Sequence, residues 1–209
     1  MPERRSEGRR PPTWLTVSAV VHAAALALLI LRPDLWRWAF IVLAANHTLL
    51  MLAGLCPRSR LLGPNLTRLP ENGPPAVALT FDDGPDPEVT PEVLRLLAEH
   101  GARATFFCIG ARAEAHPKLV RAIAAAGHRV GNHSQRHLVR FALLGPWAMA
   151  REIGHAQQIL AALGDEAPHY FRAPAGIRNP FTGMVLAHLG LRLVSWTRRG
   201  FDTVTRDPE

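Results

Sequence analysis

Lysine, tyrosine and cysteine are nearly absent from this 209-residue chain: Lys118, Tyr170, Cys56 and Cys108 are all it has. Two cysteines in segments of different character, with no Cys-x-x-Cys, exclude a disulfide framework and a thiolate zinc finger. Because lysine is scarce, the formal charge of +7 rests on arginine. Apart from the N-terminal tail those arginines are scattered. No nucleic-acid-binding motif and little aromatic interleaving accompany them, which argues against a nucleic-acid partner. An apolar fraction of 48% is ample for a core, so the chain is not of the disordered class.

Charge-free apolar runs are present. Residues 14–31, "WLTVSAVVHAAALALLIL", would extend about 27 Å as a helix, close to the hydrocarbon thickness of a bilayer. After "RPDLWR" a second run follows, "WAFIVLAANHTLLMLAGLCP" (38–57), which carries Asn46 and His47 near its middle. Trp14, Trp36 and Trp38 fall at run ends, as interfacial aromatics do. The first run is long for a signal peptide, and no small-x-small cleavage site precedes a polar mature start. The expected organisation is therefore a basic tail (1–13), a membrane anchor forming a helical hairpin (14–57), a linker (58–74) and a C-terminal domain (75–209) at a bacterial cell membrane. Arg4, Arg5, Arg9 and Arg10 hold the N-terminus in the cytoplasm. If both helices span, the domain lies on that same side, and Arg58 and Arg60 agree. If only the first spans, the domain lies opposite.

From residue 75 strands alternate with helices. Strands are expected at 76–81, 104–110, 128–133, 169–174 and 191–196, and helices at 91–101, 117–127, 146–164 and 180–190. Such alternation implies parallel βαβ units. Without a dinucleotide glycine fingerprint, a barrel and an open doubly wound sheet both remain, and in either the function sits at the C-terminal strand ends. The polar clusters fall there: Asp82 and Asp83 in "LTFDDGPDP", His133 and His137 in "HSQRH", and Arg172 in "FRAPAG".

Neighbouring side chains on an extended strand point to opposite faces. Asp82 and Asp83 can share a site only if the backbone turns, and Gly84-Pro85 is expected to supply that turn. Two carboxylates so placed call for a compensating cation, a metal or an arginine. On a helical turn, the i, i+4 spacing of His133 and His137 would put both imidazoles on one face, able to hold one metal. Two histidines and an aspartate leave a coordination position open, as catalytic metals require.

"TFDDGP", "GNHSQRH" and "FRAPAG", in this order, together with the intervening "ATFFCIG", resemble the first three motifs of the polysaccharide deacetylases, the NodB-homology or family-four carbohydrate esterases. The resemblance covers residue 76 to about 203. It implies an α/β fold, an irregular (β/α) barrel, and metal-assisted removal of an N- or O-acetyl group from a carbohydrate. Carried over, Asp82 is the general base, Asp83, His133 and His137 ligate a divalent metal, usually zinc with cobalt or nickel possible, and Arg172 holds Asp82 in place. The turn at Pro174 and the backbone N–H of Ala175 bind the oxyanion. The fourth motif is partly met: Asp202 matches one aspartate, Arg199 and Thr203 replace its other residues, and Trp196 lies just upstream. No Leu-x-His follows to protonate the leaving amine, and "TRDPE" reads as a helix start with Asp207 at its N-cap. The expectation is a C-terminally incomplete barrel that binds metal and turns over poorly. A non-catalytic carbohydrate or lipid binder, or a deacylase of a small-molecule or lipid-linked sugar, is the alternative.

Overall fold

The computed structural model describes residues 13–69 and 76–200. Two helices open the chain, α1 (Thr13–Leu31) and α2 (Trp36–Leu55), joined by a short 3-10 turn at Pro33–Leu35. Both are long and apolar enough to cross a membrane, and most of their side chains face outward. A buried hydrogen bond from Asn46 Nδ2 to Ser18 Oγ (2.8 Å) ties the two together, so the polar residue that interrupts the second run faces its partner helix.

The domain that follows alternates as its sequence pattern requires. The elements are β1 (Leu79–Gly84), α3 (Val89–Glu99), β2 (Ala104–Cys108), α4 (Gly110–Ala115), α5 (Pro117–Ala125), β3 (Arg129–Asn132), α6 (Pro146–Leu163), β4 (Tyr170–Phe171), α7 (Thr182–His188) and β5 (Arg192–Leu193). Pro117 and Pro146 each stand at the head of a helix, where a missing N–H costs nothing. The five strands are parallel and lie in sequence order, β1-β2-β3-β4-β5. That order suits one arc of a barrel, and among the described residues the sheet has β1 at one edge and β5 toward the other.

Apolar side chains pack in two clusters about the sheet. Phe106, Cys108, Val120, Ile123 and Leu160 fill one, while Phe141, Met149, Ile153, Phe171 and Leu193 fill the other. They hold the C-terminal strand ends in fixed register, and the polar clusters emerge there.

Three expectations are corrected. First, β1 runs on through Gly84, so Asp82 and Asp83 lie inside the strand rather than beyond it. Second, residues 133–137 are a loop, not a helical turn, with Ser134 and His137 at positive φ (65° and 50°). Third, residues 58–69, expected as a linker, are packed. Leu62 is 1% exposed among Leu50, Ala53 and Trp14 of the helical pair, and Leu66 forms a parallel bridge with Val194 beside β5. Short polar stretches rich in glycine and proline show no periodicity, so their docking leaves no trace in the pattern.

Candidate metal centre and active site

Thr80 and Asp82 are two apart on β1 and share a face. Both meet one nitrogen of Arg172: Nη1 donates to Asp82 Oδ1 at 2.7 Å and to Thr80 Oγ1 at 2.9 Å. In a regular strand Asp83 would then point away. The register with β2 instead skips from Phe81↔Phe106 to Gly84↔Cys108, and Asp83 takes a positive φ of 65°. The turn that the pair needs is thus a bulge at Asp83 itself, not Gly84-Pro85. Arg112 of α4 holds the bulge, its Nη1 donating to the Asp83 carbonyl at 2.8 Å.

Asp83 Oδ1 lies 3.4 Å from His133 Nε2 and 3.2 Å from His137 Nε2. Among the described residues this is the group of three side chains arranged to hold a metal. Asp83 Oδ1 is buried with no hydrogen-bond partner. His133 Nδ1 donates to the Arg172 carbonyl (2.8 Å), which directs Nε2 toward the carboxylate. One carboxylate oxygen facing two imidazole nitrogens at ligand spacing suits a cation between them. Tetrahedral zinc, with donors at about 2.0–2.1 Å, would space them by roughly 3.3 Å, so the residues present fit such an ion. The His133 imidazole, outweighing burial, holds the Asp83 carboxyl below its usual range. Burial and the neighbouring His133 push His137 down, against the pull of Asp83. Both shifts favour the ligating forms, carboxylate and neutral imidazole.

The histidine loop is stitched rather than helical. Ser134 N–H bonds Asn132 Oδ1 (2.9 Å), and His137 N–H bonds Ser134 Oγ (3.1 Å). Glu152 of α6, 4% exposed, accepts from the Arg136 backbone N–H at 2.6 Å and from its guanidinium.

Arg172 is 2% exposed and held between two aromatic faces, Phe107 at 4.1 Å and Trp196 at 5.0 Å. Burial lowers its pKa and the Asp82 carboxylate opposes that. The 3-10 turn Pro174–Gly176 follows, with Pro174 buried and Ala175 exposed at φ 53°. Gly176, at φ 72°, is required for a second reason: a Cβ there would strike the Trp196 ring.

The structure therefore brings Asp82, Asp83, His133, His137, Arg172 and Trp196 together, with Pro174 and Ala175 on the adjoining turn. Asp202 and the expected helix start at Asp207 lie outside the described residues. Sequence reasoning missed Thr80, Phe107, Arg112 and Glu152. Thr80 was legible, since it shares the face of Asp82 on the same strand; the other three act across the fold and carry no local signal.

Comparison with known proteins finds relatives over the segment that carries this site. The sequence model of the family described as polysaccharide deacetylase matches residues 70–194. A chitooligosaccharide deacetylase of Sinorhizobium fredii is 40% identical over 140 residues, which span 63% of this chain and 65% of the relative. A peptidoglycan-N-acetylglucosamine deacetylase of Bacillus cereus is 36% identical over 138 residues, spanning 63% of this chain and 50% of the relative. Among solved structures, a peptidoglycan N-acetylglucosamine deacetylase in complex with a naphthalenyl N-hydroxybenzamide superposes with a TM-score of 0.58 at 35% identity, covering 63% of this chain and 61% of that one. The chain thus spans one half to two thirds of the length of these proteins.

Proposed function

The chain belongs to the polysaccharide deacetylase family, and from that premise we propose that it is a membrane-anchored, metal-dependent hydrolase removing an N- or O-acetyl group from a carbohydrate. The observation that carries the reading is the orphaned Asp83 Oδ1 facing the His133 and His137 Nε2 atoms, beside the Asp82–Arg172 ion pair. Relatives named as chitooligosaccharide and peptidoglycan-N-acetylglucosamine deacetylases support an acetylated amino sugar as substrate.

Asp83, His133 and His137 hold the ion, which we take to be zinc, with cobalt or nickel able to fill the same donor set. Bound there, a divalent cation supplies a Lewis acid and a water acidified toward neutral pH. The Asp82 carboxylate accepts the proton of the attacking water. Arg172 Nη1 fixes Asp82 Oδ1, and Phe107 and Trp196 fix Arg172. The Ala175 N–H donates to the oxygen on which charge develops. Helices α1 and α2 anchor the domain in the membrane as a hairpin, supported by their length, apolar surface and terminal tryptophans.

The test is acetate release from N-acetyl chitooligosaccharides and peptidoglycan by the purified full chain, with metal content measured on the same sample. One metal per chain with slow acetate release is expected, since no Leu-x-His follows the fourth motif to protonate the leaving amine. A chain that retains no metal, or releases no acetate from any acetylated sugar, overturns the proposal.

A further inference from the structure

The end of α2 is in direct contact with the rim of the candidate active site. The Arg178 backbone N–H bonds the Gly54 carbonyl at 3.2 Å, and a Cβ at Gly54 would collide with the Arg178 carbonyl oxygen. The Arg178 side chain, 4% exposed, donates to the Ser59 carbonyl. Asn65 ties down the same loop, its Nδ2 donating to the Pro57 and Ser59 carbonyls at 2.7 and 3.1 Å. Pro57 Cγ would be 3.1 Å from a Cβ at Gly176. Gly176 packs on Trp196, Trp196 on Arg172, and Arg172 holds Asp82. No slack separates the helix end from the turn that carries Ala175.

If α2 spans a bilayer, its end at Leu55 marks the boundary, with Trp14 at the same end of α1 against Leu50, Ala53 and Leu62. The mouth of the site is then at the membrane surface. Arg58 and Arg60 stand exposed on the connecting loop, and Arg198 and Arg199 are exposed beside Trp196, with Arg199 over its ring at 5.1 Å. A wall polymer or free oligosaccharide makes no use of a cationic rim at the membrane surface. A sugar carried on a lipid phosphate arrives along the membrane, with its anionic linkage at the depth of these arginines and its sugar above it.

We propose that the substrate is an acylated amino sugar linked through phosphate or pyrophosphate to a membrane lipid. The inference rests on the membrane-anchored deacetylase reading and names the substrate class of that same site.

The experiment uses the full chain in nanodiscs of phosphatidylethanolamine and phosphatidylglycerol. Binding is measured with the Asp82→Asn variant, so that it is independent of turnover. The probes are polyprenyl-pyrophosphate-linked N-acetylglucosamine, soluble uridine-diphosphate N-acetylglucosamine and chitotetraose. Binding of the lipid-linked probe at least about tenfold tighter than either soluble probe is expected, and a smaller preference overturns the proposal. Arg58→Gln with Arg60→Gln should weaken the lipid-linked probe by about tenfold and leave chitotetraose unchanged; an unchanged lipid-linked affinity also overturns it. Acetate release by the unaltered chain is read separately. Release from chitotetraose at the rate of the lipid-linked probe sinks this inference and leaves the deacetylase standing. Release from no probe sinks the deacetylase, while the binding ratio still decides this proposal.

Discussion

The positive φ of Asp83 allows two adjacent carboxylates to face one site, and each side chain then has its own partner. Asp83→Ala should therefore lose the bound metal, as metal content after dialysis would show. Asp82→Asn should keep the metal and lower kcat by roughly 10²–10⁴-fold. The histidines set a pH limit. In the metal-free protein His137 has a pKa below its ordinary 6.5, so the folded state binds fewer protons than the unfolded state as pH falls from about 6.5. Stability should decline on acidification through that window, read as a falling Tm. Asp83 is depressed from 3.8; its contribution is present above that value and lost only as pH drops through the lower folded value. Metal should move the first loss to lower pH. The two thiols differ as well: burial pushes Cys108 up to about 12, whereas Cys56 is exposed. A thiol reagent should modify one cysteine in the native protein and both after unfolding.

Helices and strands were legible in the sequence to the extent that pattern carries them. The alternation gave five parallel strands because long amphipathic helices and apolar runs bounded by glycine and proline are local signals. The motifs of the candidate site were legible because each is contiguous at a strand end. The conformation inside the motifs was not. The i, i+4 spacing of His133 and His137 reads as a helix, yet side-chain and buried Glu152 bonds hold a loop, and those partners are distant in sequence. Strands β4 and β5 each contract to two residues. Glu152 is therefore a positioning residue for the histidine loop. Glu152→Ala should weaken metal binding by roughly 10–100-fold while Asp82–Arg172 geometry persists, measured by competition with a chelator.

Across the molecule, a small apolar seam centred on Leu62 packs the 58–69 segment onto the helical pair, and the same segment accepts from the Arg178 side chain at the Ser59 carbonyl. Leu62→Ala should cost about 2–5 kcal/mol where the site cannot collapse, read as a lowered unfolding midpoint in detergent. It should also speed hydrogen exchange at residues 174–178, because the same seam braces the turn after Arg172. Unchanged exchange there would show the seam and the site to be independent.

The bridge from Leu66 to Val194 has a consequence in time rather than space. Next to it the Thr197 hydroxyl bonds the Thr67 carbonyl, 130 positions away along the chain. At ~5–20 residues per second a ribosome needs on the order of ten seconds to make that interval. The apolar helices are complete long before the strand that Leu66 must meet exists. The segment after them must wait with its backbone groups in water until residues 193–197 have emerged, so these pairings form late rather than nucleate the fold.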